Sequence, residues 1–379
     1  MFSYKRYLNH KTFREKNKNH ILDFLPKNRC FSFISSARGG IEAFIDMSGI
    51  KKNDSVLIPA FVPEGLSTPF KKKGINMRIY KSRSDLSINY KDLEYKLKSD
   101  NTIKAVFIIH YFGFPQDTKK ISKLCRKYRV FLIEDCAQAL FSKDNEGNIL
   151  GSIGDVSIYS LPKSIPVPDG GLILFNNTNL VSLNHRSLRY NRSVSHLFSV
   201  IFHLIYLLIK NFEIKMEYSF LYRVFNFATK IFYFLYYQLL RIMPKPARMS
   251  NISSKILKKI DYKQLIKRRR INAEYFYTHI DKKKYKLVFP DHNKNYILTG
   301  IPILSDNRDR IIKCLRKKGI DCLKYEKCWD VISNNNYGDE TNFSRNHFLV
   351  PISENISESD MEYIVYTMNK LCLETNRKN

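Results

Sequence analysis

The chain has 379 residues, of which 44% are hydrophobic and 13% aromatic, so it is long enough for a large domain plus a smaller one and is not disordered throughout. Lysine and arginine number 64 against 35 acidic residues, which gives a formal net charge of +29. That charge favours a polyanionic partner: a phosphorylated small molecule, nucleic acid or an anionic membrane. Charge alone does not choose among the three.

The seven cysteines are scattered and odd in number, and they form no C-x-x-C pair. This pattern excludes a zinc ribbon, predicts no metal site and argues against a disulfide framework, so we expect the reducing environment of the cytoplasm. The first 25 residues are basic and lack the unbroken apolar stretch and small-residue cleavage site of a signal peptide. We therefore expect no export from the cell.

Short apolar runs alternate with amphipathic stretches from about residue 30 to residue 175. In the amphipathic stretch 117–128, Ile121, Leu124 and Cys125 recur at helical spacing. The alternation of strand and helix predicts an α/β domain with a mostly parallel sheet, whose ligands bind at the carboxyl ends of the strands. The predicted strands are 56–59, 77–80, 104–110, 130–133 and 171–175.

Two hydrophobic segments follow, at 197–209 and 220–243. The first has 13 residues with Ser199 and His203 as its polar breaks, and this is too short to cross a bilayer, which needs about 20. Three interpretations stay open: a pair of helices packed on the body or on a second copy, a contact with one face of a membrane, or a membrane-spanning hairpin.

A narrow cationic stripe favours the membrane contact in the second segment. On a helical wheel Arg223, Lys230 and Arg241 fall within about 20° of one another, a pattern typical of interfacial helices. Pro244 and Pro246 then end the predicted helix.

The remainder of the chain predicts a small α+β domain. Eight basic residues against the single acid Asp261 occupy 255–270, which indicates the solvated side of a long helix. Strand, helix, strand and helix are predicted at 300–304, 309–318, 347–352 and 357–371. We therefore divide the chain into a large domain, 1–250, carrying a hydrophobic helical insertion at 192–245, and a small C-terminal domain, 251–379.

The most informative motif is Asp135-x-x-Gln138, followed by Lys163 and then by Asp169-Gly170-Gly171. Pyridoxal phosphate (PLP) needs a lysine for its Schiff base and a carboxylate against its ring nitrogen. Such a lysine loses its proton near neutral pH when it lies in a desolvated, electropositive pocket, so we expect Lys163 to be enclosed. By pattern alone, a strand-end aspartate and a loop lysine also fit an ordinary cap and a solvated charge.

The runs IEDCAQA at 133–139, GSIGDVSIYSLPK at 151–163 and DGG at 169–171 resemble the DegT/DnrJ family of PLP-dependent sugar aminotransferases, of aspartate-aminotransferase-like fold type I. The similarity covers about 31–191 and 246–371. Shorter pieces also resemble the family, namely FISSARGG at 33–40, DSVLIP at 54–59, HYFG at 110–113, RMS at 248–250, and RD with GI at 308–309 and 319–320.

The resemblance implies a role for each matching position. Lys163 would form the Schiff base and carry the proton between cofactor and substrate carbon. Asp135 would pair with the pyridine nitrogen, and Gln138 would bond near the phenolic oxygen. The remaining implied cofactor contacts are Ser36, Ala37 and Arg38 around the phosphate, a hydroxyl from Ser160, and Phe61 stacked on the ring.

Four features depart from the family pattern. Ser36-Ala37-Arg38 replaces its Ser-Gly-Thr, and only two residues separate Ser160 from Lys163. The position of an asparagine that reaches the partner subunit's cofactor holds Pro246 and Ala247, and the substrate-side HYxP is replaced by YEKCW at 325–329. Substrate recognition has therefore diverged.

The resemblance implies a homodimeric aminotransferase that moves an amino group, with glutamate as donor, onto a nucleotide-linked keto-sugar for surface polysaccharide such as O-antigen. The insertion suggests peripheral membrane contact through 197–243, at the inner face of the membrane. The alternative is a catalytically inactive, membrane-associated relative that acts as a binding or assembly protein. A sugar dehydratase is disfavoured because those relatives replace the lysine by histidine, and nucleic-acid binding is disfavoured because no finger, RNP or helix-turn-helix motif occurs.

Overall fold

The computed structural model describes residues 2–3, 20–182, 194–215, 220–242, 247–325, 329–330 and 337–376. Its strands in chain order are β1 (Phe2–Ser3), β2 (Cys30–Ile34), β3 (Ser55–Pro59), β4 (Val62–Pro63), β5 (Asn76–Tyr80), β6 (Ile103–Ile109), β7 (Phe131–Asp135), β8 (Val156–Ser160), β9 (Gly171–Phe175), β10 (Lys286–Leu287), β11 (Ile301–Leu304), β12 (Ile320–Asp321), β13 (Trp329–Asp330) and β14 (His347–Val350). Its α-helices are α1 (Ala37–Ser48), α2 (Glu64–Lys72), α3 (Tyr90–Ser99), α4 (Thr118–Tyr128), α5 (Thr178–Ser182), α6 (Val194–Lys215), α7 (Phe220–Ile242), α8 (Asn251–Leu257), α9 (Tyr262–His279), α10 (Arg308–Lys317), α11 (Gly338–Asn346) and α12 (Glu358–Asn376).

A seven-stranded sheet with the order β2-β9-β8-β7-β6-β3-β5 forms the large α/β unit. The pairs from β8 to β5 are parallel, and β9 runs antiparallel to both β8 and β2. The predicted α/β class with a mostly parallel sheet is therefore confirmed. The carboxyl ends of β6, β7 and β8 meet at one edge of this sheet.

The strands form where apolar residues run without a break. Every residue of β3 and β9 is buried, and in β6 only Lys104 is exposed. Such runs are typical of parallel strands covered on both faces, where alternation of polar and apolar residues is not needed. This is why the sequence predicts these strands to within a few residues.

A three-stranded antiparallel sheet, β10-β11-β14, lies with α10 and α12 in the C-terminal part. The predicted order of strand, helix, strand and helix is confirmed there. The largest buried cluster contains residues of β3 and β6 together with residues of β11 and β14, so one core serves both sheets. The division at residue 250 stays a prediction.

The basic stretch 255–270 differs from the expected single helix. Helix α8 ends at Leu257 and α9 begins at Tyr262, after Asp261 caps the new helix by accepting a hydrogen bond from the amide of Gln264 at 3.1 Å. Arg269 is fully buried rather than solvated. Its guanidinium pairs with Glu354 at 2.7 Å, which compensates for the loss of water around the charge.

The hydrophobic insertion forms two helices, α6 and α7, that pack on each other and are called the hairpin below. None of the described helices combines the length and apolar character needed to cross a bilayer. Pro244 and Pro246, predicted to end the second helix, and Glu326 to Cys328 of the small domain lie outside the described residues.

The hairpin buries polar as well as apolar side chains and exposes a further set of apolar ones. His196, Ser199 and His203 of α6 are buried and follow one another at about one helical turn each. Ser199 and His203, the polar breaks of segment 197–209, therefore lie with His196 on the side of α6 that packs on the body. The exposed large hydrophobic side chains of the two helices are Val194, Leu197, Phe198, Ile201, Leu208, Val224, Phe227, Ile231, Tyr233 and Phe234.

Candidate active site

Asp135 is the last residue of β7, and its side chain is buried at the carboxyl edge of the sheet. One of its oxygens accepts a hydrogen bond from the amide of Ala137 at 2.8 Å. Burial raises the pKa of this carboxyl, while the positive charge of Lys163 acts in the opposite direction. A cationic partner stabilises the ionised form of a buried carboxyl, which burial otherwise disfavours.

Gln138 is buried three residues further on, and both ends of its side-chain amide are bonded. Its oxygen accepts from the backbone amide of Phe112 at 3.1 Å, and its nitrogen donates to the hydroxyl of Tyr325 at 3.2 Å. Tyr325 belongs to the segment that replaces the family's HYxP. The motif at the end of β7 is thus bonded directly to the C-terminal part of the chain.

Lys163 ends a short 3₁₀ helix, Leu161–Lys163, that begins directly after Ser160 at the end of β8. Its side chain is exposed, so the enclosed environment expected for it is not observed. Its charge nevertheless acts on the buried Asp135. Ser160 is half-buried and pairs with Gly171 of β9, and its hydroxyl does not cap the 3₁₀ helix.

Arg269 anchors the turn that carries Lys163, and sequence reasoning missed this. Its Nη2 donates to the carbonyl oxygen of Ser164, the residue after Lys163, and also bonds Glu354. The partner lies 85 residues away along the chain, so local pattern gave no signal. A buried arginine paired in this way fixes the position of the loop backbone.

The turn from β2 into α1 forms the predicted phosphate-binding position. Ser36 caps α1, its Oγ accepting from the amide of Gly39 at 3.3 Å, and Ala37 and Arg38 form the first turn. Nη1 of Arg38 is buried and has no hydrogen-bond partner among the described residues. The amino end of a helix with a free guanidinium N–H is suited to an anion.

Gly171 of the DGG motif brings β9 against this turn. A Cβ atom at Gly171 would lie 2.4 Å from the carbonyl carbon of Ser36 and 2.6 Å from the nitrogen of Ala37. Only glycine permits that approach of two backbones. The motif is therefore needed to build the start of α1 as well as the strand.

Phe61 follows β3 and is completely buried. Its ring makes edge contacts with Phe343 at 5.0 Å and with His347 at 5.7 Å, measured between ring centroids. The structure thus places it in the aromatic cluster under the site, and its stacking on a cofactor ring stays a prediction.

Asp169, the acid of the DGG motif, is a buried hub whose partners sequence reasoning did not identify. Its carboxylate accepts from His196 Nε2 at 2.9 Å, from the amide of Ser250 at 2.9 Å, and from the hydroxyls of Ser250 and Ser253. These partners belong to the hairpin, to the RMS turn and to α8. His196, directly before the apolar segment 197–209, was the available signal, since a buried histidine requires a partner.

Glu134, next to Asp135, holds the loop before β8. It bonds His110 Nε2 at 2.9 Å and accepts from the backbone amides of Gly151, Ile153 and Gly154. Burial acts to raise the pKa of Glu134, but His110 and these amides outweigh it and the pKa is lowered. The two adjacent acids therefore have different roles: Glu134 holds the loop before β8 through its hydrogen bonds, and Asp135 interacts with the charge of Lys163.

A sequence profile described as the DegT/DnrJ/EryC1/StrS aminotransferase family matches residues 13–203. The chain belongs to this family. The resemblance drawn from the motifs is confirmed, and with it the fold type I architecture.

Curated relatives in the family match only a segment of this chain. GDP-perosamine synthase of Escherichia coli O157:H7 is 30% identical over 135 residues, 35% of this chain and 36% of the relative. A UDP-4-amino-4,6-dideoxy-N-acetyl-beta-L-altrosamine transaminase of Campylobacter jejuni is 32% identical over 112 residues, 29% of this chain and 30% of the relative. The matched segments thus span about a third of these relatives' length.

Solved structures show the fold over nearly the whole chain. A sugar aminotransferase described as putative, Spr1654 from Streptococcus pneumoniae, has a TM-score of 0.68 at 15% identity, covering 99% of this chain and 94% of that one. DesV of S. venezuelae has a TM-score of 0.68 at 14% identity, covering 93% and 87%. At this identity the likeness concerns the fold alone.

The residues present at the sheet edge fit PLP, the cofactor of this aminotransferase family. Nη1 of Arg38 is a buried donor that a phosphate would satisfy, and the raised pKa of Asp135 marks a carboxyl that a pyridinium would pair with. Lys163 lies close enough for its charge to act on Asp135. Asp135 and Lys163 are therefore near each other, and Arg38 lies in the first turn of α1, whose start packs against Gly171 of β9.

Proposed function

We propose that this protein is a PLP-dependent aminotransferase that transfers an amino group, with glutamate as donor, to a keto-sugar attached to a nucleoside diphosphate. The observation that carries the proposal is that the exposed Lys163, just after β8, lies close enough to the buried Asp135, at the end of β7, for its charge to act on that carboxyl. The buried Gln138 follows three residues after Asp135. The names of the curated relatives, a GDP-perosamine synthase and a UDP-sugar transaminase, support a nucleotide sugar as substrate. The net charge of +29 is compatible with a diphosphate.

Each residue has a defined task in this proposal. PLP, when bound, supplies an electrophilic carbon and an electron sink. Asp135 keeps the proton on the ring nitrogen, and Gln138 orients the ring through its amide, which Phe112 and Tyr325 hold at both ends. Lys163 Nζ would hold the cofactor between turnovers and, once free of it, would carry the proton to and from the substrate carbon.

Two substrates that share one site in turn predict ping-pong kinetics. The test is incubation of the purified protein with PLP, glutamate and a panel of GDP-, UDP- and dTDP-linked keto-sugars, followed by detection of 2-oxoglutarate and of the amino sugar. Lys163→Ala is the inactive control. We expect 2-oxoglutarate beyond one equivalent per enzyme, and the amino sugar, to form only when Lys163 and one keto-sugar are both present. A PLP-loaded protein that forms no amino sugar from any of them would favour the alternative of a binding or assembly protein.

We propose that the enzyme is a homodimer, as the family resemblance implies. Sedimentation velocity at several concentrations, with the PLP-loaded protein, tests this. We expect the mass of two chains of 44.8 kDa. A monomer throughout would contradict the dimer.

We propose that the outward face of the hairpin contacts the inner face of the membrane. Its exposed side chains form stripes at helical spacing, such as Leu197, Ile201 and Leu208 on α6. Lys230 is exposed beside the apolar stripe of α7, whereas the side chains of Arg223 and Arg241 lie outside the described part of the chain. Apolar insertion combined with basic charge is how interfacial helices bind anionic lipid, and the same charge opposes a second copy of this cationic chain on this face.

Flotation with phosphatidylglycerol vesicles at low salt tests the contact. Phe227→Glu is the test variant, and Tyr95→Glu is a matched control because Phe227 and Tyr95 are 67% and 69% exposed, but Tyr95 lies on α3. We expect the control to float with the vesicles and Phe227→Glu to remain in solution. Wild-type protein that does not float would overturn the contact.

A further inference from the structure

The inner side of the hairpin reaches the first turn of α1. The guanidinium carbon of Arg38 lies 5.0 Å from the centroid of the Tyr237 ring, within the range of cation–π interaction. Tyr237 belongs to α7 and so to the inserted segment. A residue of the insertion therefore contacts a residue proposed to bind the cofactor phosphate.

Gly65, in the first turn of α2, leaves room for this contact. A Cβ atom there would lie 3.3 Å from the hydroxyl oxygen of Tyr237 and 3.4 Å from both Cδ and Cζ of Arg38. The guanidinium is thus confined between α2 and the tyrosine ring. A methyl group at Gly65 would be tight against the Tyr237 hydroxyl and in van der Waals contact with Arg38.

The ring holds Arg38 without using its hydrogen-bonding groups. A guanidinium that rests on an aromatic face keeps its N–H donors for other partners. Nη1 of Arg38 is buried and has no partner in the described part of the chain, and leaving such a donor unsatisfied is unfavourable. The arrangement presents a fixed cationic donor at the place where α1 begins.

The hairpin is itself fixed to the body, so Tyr237 is not free to drift. His203 of α6 bonds the carbonyl oxygen of Pro168 at 2.5 Å and stacks on Tyr236 at 4.1 Å between centroids. His196 bonds Asp169 at 2.9 Å. Pro168 and Asp169 therefore hold α6 on the body. Because His203 also stacks on Tyr236, this attachment extends to α7 and to the neighbouring Tyr237, whose ring contacts Arg38.

We propose that Tyr237 is a positioning residue that holds the Arg38 guanidinium to receive the cofactor phosphate, which makes the hydrophobic insertion a structural part of the cofactor site. This rests on the proposed function, because it takes PLP as the ligand. It explains how a chain with Ser-Ala-Arg in place of Ser-Gly-Thr builds its phosphate position: an arginine replaces a hydroxyl, and the insertion supplies the surface against which that arginine lies.

The test compares the dissociation constants of PLP and of pyridoxal, which lacks the phosphate. Tyr237→Leu removes the ring, Tyr237→Phe keeps it, and Phe234→Leu is the control on the exposed side of the same helix. We expect Tyr237→Leu to weaken PLP binding by about three- to tenfold and to leave pyridoxal binding unchanged. Tyr237→Phe and Phe234→Leu should bind PLP as the wild type does.

A double-mutant cycle with Arg38→Ala separates positioning from a general effect on the fold. In the Arg38→Ala background, Tyr237→Leu should cause no further loss of PLP affinity. Equal losses for PLP and pyridoxal, or an undiminished loss without Arg38, would overturn the inference while leaving the proposed function intact. A folded wild type that binds neither ligand would overturn both.

Discussion

Gln138 and Tyr325, 187 positions apart in the chain, are joined by a hydrogen bond of 3.2 Å between the side-chain amide nitrogen and the phenol oxygen. The Tyr325 ring also stacks on Phe112 and His347, so its position is set by the aromatic cluster under the site. The substrate-side segment that departs from the family pattern therefore contacts the cofactor motif that is retained.

Tyr325→Phe should remove that bond and keep the stacking. Loss of one partly buried hydrogen bond lowers the free energy of unfolding by about 1 kcal/mol. Denaturant unfolding measures the change, with Tyr363→Phe as control, since the Tyr363 hydroxyl bonds Lys318 on the exposed surface. If both substitutions lower the free energy of unfolding equally, the bond to Gln138 stabilises the fold no more than an exposed surface hydrogen bond does.

Gly171→Ala should disrupt the start of α1. The added carbon would lie 2.4 Å from the Ser36 carbonyl carbon, and backbone at that distance has to move. We expect a loss of about 1–3 kcal/mol in the free energy of unfolding, together with weaker PLP binding. Gly338→Ala is the control, because nothing lies within 4 Å of a Cβ there. A variant as stable as this control would show that the close approach does not exist.

Asp169→Ala should detach the hairpin from the body. The carboxylate is buried and bonded to His196, Ser250 and Ser253, and its removal leaves their donors unsatisfied. The expected loss in the free energy of unfolding is about 3–5 kcal/mol. Asp46→Ala, which removes an exposed ion pair with Lys73, should cost less than about 1 kcal/mol. Proteolysis within the hairpin is expected to accelerate only for Asp169→Ala.

His203 should make the fold sensitive to mild acid. Burial lowers the pKa of this histidine from 6.5 to about 4, although Pro168 and Asp169 act to raise it. The unfolded chain therefore binds the proton first. The contribution of the neutral His203 to the free energy of unfolding is fully present above pH 6.5. It is lost as the pH falls from 6.5 towards 4, at about 1.4 kcal/mol per pH unit.

His203→Gln should flatten that dependence, whereas His279→Gln on the exposed end of α9 should not. Denaturant unfolding at several pH values between 4 and 7 measures the slope. Parallel curves for the wild type and His203→Gln would show that this histidine binds its proton equally in the folded and the unfolded chain, which contradicts the prediction.

The sequence predicted those parts of the molecule that depend on local pattern. Uninterrupted apolar runs gave β3, β6, β7 and β9, and the family resemblance named Asp135, Gln138 and Lys163 as candidate site residues. The rest depends on partners distant in the chain. Arg269 looked solvated because its acid, Glu354, lies 85 residues later. His196 precedes the apolar segment 197–209 and His203 interrupts it, and only the folded chain shows that they bond Asp169 and Pro168.

The exposure of Lys163 also lay beyond the sequence. An apolar strand before it and a Pro/Gly turn after it suggested enclosure, but accessibility is set by how the surrounding loops pack. The buried neighbour in the site is Asp135, whose pKa is raised by that burial.

The most direct test of the account is the visible absorption spectrum of the wild type and of Lys163→Ala after incubation with PLP, before and after borohydride. The account predicts a yellow band in the wild type, fixed by borohydride as a covalent modification that peptide mass spectrometry locates on Lys163, and no such band or modification in the variant. A folded wild-type protein without the band, or one modified equally at other lysines, would contradict the assignment of Lys163 and the aminotransferase activity proposed from it.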